Sequence, residues 1–229
     1  MGDEIRLIEV KEEILSDNIK LADEVRENFR EKKTMLLNLM SSPGSGKTSL
    51  ILRTIEGLKG AVRMGVIEAD IDSTVDAEKV AAVGVPAIQL RTGGFCHLDA
   101  AMVTQGVEVM ETEALDLIII ENVGNLVCPA EFDTGAHKNV MILSVPEGDD
   151  KPLKYPLMFS ICDLLLVNKI DYLAVSDFDM AALRERVTAL NPRITIVEIS
   201  CTTGAGIEEW IDWLKSQVKE FAGTTAGAP

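Results

Sequence analysis

The stretch "LNLMSSPGSGKTSLI", residues Leu37–Ile51, runs from an apolar segment through a turn of small residues into a helix-forming segment. Phosphate oxygens are met by backbone amides, so a cradle for them needs residues small enough to permit a tight turn and close approach. Gly44, Ser45 and Gly46 supply that turn, Lys47 a cation for the outer phosphates, and Thr48 a hydroxyl ligand for magnesium, with Ser49 next in the nucleotide-binding stretch. Ser41 stands where the usual pattern has its first glycine; at the end of the strand it reads as tolerated.

Outward from this loop, apolar runs alternate with helical patterns. The runs are "MLLNLM", "VRMGVIEAD", "VPAIQLRT", "LDLIIIEN", "KNVMILSVPE", "LLLVNKID" and "ITIVEIS", and helices are predicted from Lys47, near Ala77 to Val83, from Leu98, near Phe178 to Leu190 and from Ile207. Short continuous apolar runs between helices predict strands buried on both faces, hence an α/β fold with a mostly parallel, doubly wound sheet flanked by helices, the P-loop NTPase fold. From Arg6 to Lys33 apolar residues recur at helical spacing among charges, which predicts an N-terminal amphipathic helix outside the nucleotide-binding core. The expected organisation is a helical extension over 1–33, a GTPase domain over 34–221 and a flexible tail over 222–229.

At 229 residues, 47% hydrophobic and 26% charged, the chain fits one such domain. Its net charge of -15 argues against nucleic acid as a partner, because that binding depends on clustered Lys and Arg. No apolar run approaches the roughly 20 residues of a membrane span, and the acidic start "MGDEIRLIEVKEE" does not read as a signal peptide, so a cytoplasmic protein is expected. The four cysteines, Cys96, Cys128, Cys162 and Cys201, show no disulfide spacing and are expected as free thiols or metal ligands.

The base is read from "LLLVNKID". Guanine presents ring and exocyclic N–H donors on one edge, which an ionised carboxylate can accept, whereas adenine lacks that pair. Asp171 is therefore the candidate specificity residue, Asn168 is expected to face the guanine's acceptor edge, and Lys169 to lay its stem along the base. In "EISCTTG", Ser200 and Cys201 are expected to offer backbone amides to the guanine oxygen.

Two acidic segments stand where magnesium and the attacking water belong. "IEADIDSTVDAE" carries Asp70, Asp72 and Asp76; "IIIENVGN" carries Glu121 and, just after it, Gly124, whose amide can meet the terminal phosphate. Asp70 and Glu121 are the expected magnesium ligands beside Thr48 and, with Lys47, the catalytic residues. Asp70 is the first choice to orient the water and Asp76 the second. A further constellation lies in "TGGFCHLDA" and "NLVCPAEF", where Cys96, His97 and Cys128 offer the sulfur and nitrogen donors that suit zinc or nickel. Taken alone, three scattered ligands leave ordinary free thiols open.

Together these segments resemble the hydrogenase nickel-incorporation GTPases, the HypB family of SIMIBI-class P-loop GTPases. The resemblance spans about Leu37 to Trp213 and rests on "SSPGSGKT", "GFCHLDA", "ENVGNLVCPAEFDTGAHKNV", "EGDDKPLKYP" and "VNKID". It implies a magnesium-dependent GTPase that dimerises with GTP and delivers nickel to the hydrogenase large subunit together with a HypA-type zinc protein, with a nickel or zinc site at Cys96, His97 and Cys128. The chain departs from many members in lacking a cysteine-rich or histidine-rich N-terminal stretch; its only histidines are His97 and His137, and for His137 local hydrogen bonding is expected rather than a ligand role. Two alternatives are weighed against this reading. Urease accessory GTPases gather their metal ligands in a Cys-Pro-His cluster, whereas Cys128-Pro129 is followed by Ala130 here. A small-molecule kinase could share the phosphate loop but has no need of "NKID".

Overall fold

The computed structural model describes residues 10–70, 74–110, 112 and 114–224. Asp72, residues 1–9 of the expected extension and residues 225–229 of the expected tail lie outside the described residues.

The apolar runs form strands β1 (Met35–Ser41), β2 (Met64–Asp70), β3 (Ala87–Arg91), β4 (Leu117–Glu121), β5 (Lys138–Ser144), β6 (Leu164–Asn168) and β7 (Thr195–Glu198). They make one 7-stranded sheet in the order β3-β2-β4-β1-β5-β6-β7, and every neighbouring pair is parallel. All of β1 is buried, because it has helices on both faces. Met35, Leu37 and Leu39 enter one apolar cluster, while Leu36 and Met40 enter the clusters of the opposite face. The chain winds from β1 towards β3 on one side and returns to build β5 to β7 on the other. The carboxyl end of β1 therefore opens onto the crevice where such sheets bind ligands.

The helices are α1 (Val10–Glu31), α2 (Lys47–Leu58), α3 (Val75–Ala82), α4 (Ala100–Glu108), α5 (Cys128–Glu131), α6 (Lys151–Lys154), α7 (Pro156–Ser160), α8 (Met180–Leu190) and α9 (Ile207–Thr224). Helices α2, α3 and α9 cover one face and α1, α4, α7 and α8 the other, as their buried residues divide between the clusters. Trp210 of α9 is buried, with its indole N–H donating to Thr54 Oγ1 at 2.8 Å, so its polar atom is not stranded in the core. Helix α9 continues through Thr224.

Helix α1 packs on the sheet. Ala22, Val25 and Phe29, spaced for one helix face, pack against Ile118, Ile120 and the α4 residues Ala100 and Val103. Burying a side chain such as Phe29 contributes about 1.5–3 kcal/mol. Gly135, at φ +77, lets this helix approach closely, since a Cβ there would meet Val25 at 2.7 Å.

One polar residue interrupts the β1 run. Asn38 is buried, and a buried amide needs partners. It donates to Asn139 Oδ1 on β5 and accepts from Asn122 Nδ2 just beyond β4, both at 3.1 Å. This row of amides crosses the sheet beneath the functional loops.

Candidate nucleotide and metal sites

The loop after β1 turns at Gly44 (φ +74) and Gly46 (φ +108) and delivers Lys47 and Thr48 to the first turn of α2. The left-handed conformation at both positions costs glycine little and other residues considerably more. The cleft beside it, of about 500 Å³, is lined by Gly46, Lys47, Thr48, Glu68, Glu121 and Gly124 among others, with Asp70, Asp76 and Ser49 also on its wall. Lys47 Nζ donates to Ser41 Oγ at 3.0 Å. Ser41 is thus more than a tolerated substitution: its buried hydroxyl holds the loop's cation. Burial lowers the Lys47 pKa, opposed by the carboxylates of Glu121, Glu68, Asp76 and Glu147.

Glu121, at the end of β4, accepts from Thr48 Oγ1 at 3.2 Å. Opposite it in the parallel register stands Glu68 of β2, a residue that sequence reasoning missed. Glu68 is only 3% exposed, and its Oε1 has no hydrogen-bond partner. Burial, then repulsion and hydrogen bonding from Glu121, pushes the Glu68 carboxyl up to about 10; Glu121 is raised too, chiefly by burial. Two buried carboxyl groups and a hydroxyl make a hard oxygen set that fits magnesium. The missed signal was the position of Glu68 two residues before the strand end, facing the same way as Asp70. Asp70 itself is exposed at the end of β2, and Asp76 pairs with Lys79 at 2.7 Å.

Gly124 packs against the phosphate loop: a Cβ there would meet Pro43 at 3.0 Å. The loop that follows β4 therefore lies on the nucleotide side of the sheet.

The residues of "NKID" are tied to the phosphate loop. Asn168 Nδ2 donates to Ser45 O at 2.8 Å, and its Oδ1 accepts from Lys169 N at 2.8 Å and Cys201 N at 3.2 Å. This side chain therefore bridges the phosphate loop and the segment of Cys201. Lys169, at φ 62, reaches Gly44 O through Nζ at 2.8 Å. Asp171 is exposed, with Oδ1 accepting from Ser200 Oγ at 2.5 Å. The amides expected to face the guanine oxygen are both engaged within the protein, since Ser200 N donates to Ala205 O and Cys201 N to Asn168 Oδ1. The cause is the turn at Gly204 and Gly206, which folds the segment back on Glu198 and Ser200. Burial raises the Cys201 thiol to about 11, so it is an unreactive packing group at neutral pH.

On the far side of Gly124 the structure brings Cys96, His97 and Cys128 together, with one ligand atom of each lying within 4.8 Å of the others. The two sulfurs are 3.0 Å apart. Cys96 and His97 lie in a loop ahead of α4, after the left-handed turn at Gly93 and Gly94, which frees neighbouring side chains from the opposite faces a strand would give them. The His97 ring stacks on Phe132 at 3.8 Å between centroids, its Nδ1 is buried without a partner, and burial lowers its pKa, keeping the imidazole neutral. The Cys128 thiol is raised, first by its hydrogen bond with Cys96 and then by burial. An orphaned imidazole nitrogen beside two sulfurs fits zinc or nickel. Three asparagines frame this group: Asn122 Oδ1 accepts from Leu98 N at 3.0 Å, Asn125 Nδ2 donates to Cys96 O at 3.2 Å, and Asn18 reaches it from α1.

His137, in contrast, is a structural pin. Its Nδ1 accepts from Leu36 N at 2.9 Å and its Nε2 lies 3.0 Å from Arg26 O, so its partners are distant in sequence rather than the local ones expected.

The model of the CobW/HypB/UreG nucleotide-binding domain matches residues 35–198. Hydrogenase maturation factor HypB of Escherichia coli strain K12 is 45% identical over 212 residues, covering 93% of this chain and 73% of that protein. The chain belongs to the HypB family. A probable HypB of Methanocaldococcus jannaschii is 34% identical over 216 residues, 94% of this chain and 98% of that one. Among solved structures, HypB from Archaeoglobus fulgidus superposes with a TM-score of 0.83 at 40% identity, over 89% of this chain and 99% of that one. HypB from Helicobacter pylori in complex with nickel superposes at 0.85 and 36% identity, over 89% and 96%. The signal recognition particle receptor FtsY of Elizabethkingia anophelis, at 15% identity and a TM-score of 0.54, shares the fold alone.

Proposed function

We propose that this chain is a magnesium-dependent GTPase and metallochaperone of [NiFe]-hydrogenase maturation, which hydrolyses GTP to GDP and phosphate and hands nickel, or zinc in its place, onward from Cys96, His97 and Cys128. The observation that carries the reading is one short segment, Glu121 to Cys128, that begins at the phosphate cleft and ends in the metal group. Membership of the HypB family supports it. The working form is a GTP-dependent homodimer in the cytoplasm, with a HypA-type zinc protein and the hydrogenase large subunit as partners.

In this mechanism the amides from Gly44 to Thr48 cradle the phosphates, and Lys47, steadied by Ser41, neutralises charge on the outer ones. Thr48 and Glu121, with Asp70 nearby, would hold magnesium, which would supply positive charge to the phosphates. Asp70 orients the attacking water from the cleft wall, and the Gly124 amide meets the terminal phosphate. Asp171 accepts the guanine donors. When the phosphate leaves, Gly124 loses a contact, and the change is relayed along Asn125 to Cys128.

The test is phosphate release from GTP and from ATP with no acceptor present, in wild type and in Lys47→Ala. Release from GTP alone, abolished by the substitution, is the expected result; equal release from ATP, or a fully active Lys47→Ala, would remove the reading.

A further inference from the structure

The two loops that carry the metal group are joined by a residue outside both. Asn18, in the middle of α1, accepts from Ala100 N through Oδ1 at 3.0 Å and donates to Asp133 O through Nδ2 at 2.9 Å. Ala100 is the first residue of α4, directly after the loop of Cys96 and His97. Asp133 follows Phe132, the ring on which His97 stacks. One amide thus uses both ends to bridge the loop of Cys96 and His97 to the segment that runs on from Cys128.

Asp133 is fixed a second time from the same helix, since Arg26 reaches both its carboxylate oxygens at 2.7 and 2.9 Å and also donates to Ala136 O at 3.3 Å. The close approach this requires is built in at Gly135, where a Cβ would meet Val25 at 2.7 Å and Ala22 O at 2.9 Å. A surface helix that only covered the sheet would need its apolar stripe but not these polar links. The hydrophobic driving force is non-directional, whereas hydrogen bonds of this kind fix position and orientation.

We infer that Asn18 is a positioning residue of the metal group, through which α1 holds the Cys96–His97 loop and the Phe132 ring at the spacing that keeps the three ligand atoms together. The inference rests on the metal reading given above. Asn18 touches no ligand atom; it acts on Cys96 and His97 through the Ala100 amide and on His97 through Phe132. Outer partners of this sort orient the ligands, and their loss commonly lowers metal affinity about 10–100-fold.

The experiment titrates nickel and zinc, in competition with a chromophoric chelator, into the full chain as wild type, Asn18→Ala, Asn18→Asp and Lys20→Ala, following the sulfur-to-nickel absorption band and checking folding by thermal melt. Asn18→Ala is expected to lose about tenfold in affinity and to shift the band. Asn18→Asp keeps the acceptor for Ala100 N and should fall between that variant and wild type. Lys20→Ala, on the exposed face of the same helix, should match wild type, and guanine-nucleotide affinity should be unchanged in all four. Wild-type affinity and an unshifted band in either folded Asn18 variant would overturn the role of Asn18. If wild type itself takes up neither metal, the metal reading fails instead, and the two failures are distinguishable.

Discussion

Asp171 presents its carboxylate from an exposed turn, braced by Ser200 Oγ at 2.5 Å. Hydrogen bonds to a charged group contribute roughly 1.5–3 kcal/mol each, so Asp171→Asn should weaken GTP binding by at least about tenfold and favour xanthosine triphosphate, whose edge complements an amide. A competition titration in which the variant keeps its preference for GTP would refute the base assignment. Glu68 makes a different prediction. With Glu121 it puts a second buried carboxyl group where a triphosphate must sit, with Lys47 close by as the cation. Held protonated at neutral pH by burial and Glu121, Glu68 carries no charge there until magnesium displaces its proton, so Glu68→Gln should bind GTP like wild type in the presence of a magnesium chelator and gain less when magnesium is restored; equal gains in both proteins would contradict it. His137 predicts a pH dependence. Burial, only partly offset by its hydrogen bond to Arg26 O, depresses its folded pKa from 6.5 to about 4. Its contribution is complete above pH 6.5 and is lost as the pH falls towards 4, because the unfolded chain takes up the proton first. The loss amounts to about 3 kcal/mol at most. Urea unfolding across that range should show a shallower acid loss in His137→Asn than in wild type, and parallel profiles would reject the assignment.

At the scale of elements, the segment from Glu121 to Cys128 is the link between the two sites, and much of it was legible in the sequence. The apolar runs identified all seven strands, because a strand buried on both faces has nowhere to place a polar side chain. The phosphate loop was legible because glycine conformation and the Lys and Thr that follow are fixed by one short motif. What sequence could not show were contacts between residues far apart in the chain. Asn38 looked like an interruption of an apolar strand, yet it is the middle of the row Asn139, Asn38, Asn122. The bond of Asn168 to Ser45 O joins residues 123 positions apart, which its motif alone does not reveal. The four-residue α5 carries too few residues for periodicity to reveal it, although Cys128 begins it. Asn125, between Gly124 and Cys128, donates to Cys96 O while its Oδ1 accepts from Val127 N at 2.9 Å. Asn125→Ala should lower nickel and zinc affinity about tenfold without weakening GDP binding. A parallel metal and GDP titration checks this, and an unchanged metal affinity would show that the link does not run through this side chain.

At the scale of the whole molecule, the chain carries a net charge of -15, and among the described residues no helix is long and apolar enough to cross a membrane. The Cys96, His97 and Cys128 group offers three ligand atoms, one fewer than a closed tetrahedral site takes, so in the proposed metal site a second chain, a water or a partner protein would complete the shell. In the proposed GTP-dependent dimer, a symmetric arrangement that placed two copies of Cys128 at its axis would make metal affinity differ between the nucleotide states. Linkage makes the effect reciprocal: the metal must shift dimerisation by the same factor that dimerisation shifts metal affinity. Cys128→Ser should abolish this reciprocity and leave GTP binding nearly intact, since the thiol lies outside the phosphate cleft. The most direct measurement is a titration of nickel and zinc into wild type and Cys128→Ser, with GDP and with a non-hydrolysable GTP analogue, while the oligomeric state is followed in the same samples. Wild type should show metal affinities that differ between the two nucleotides in step with dimerisation, and Cys128→Ser should not; equal wild-type affinities in the two states would contradict the coupling even if the metal binds.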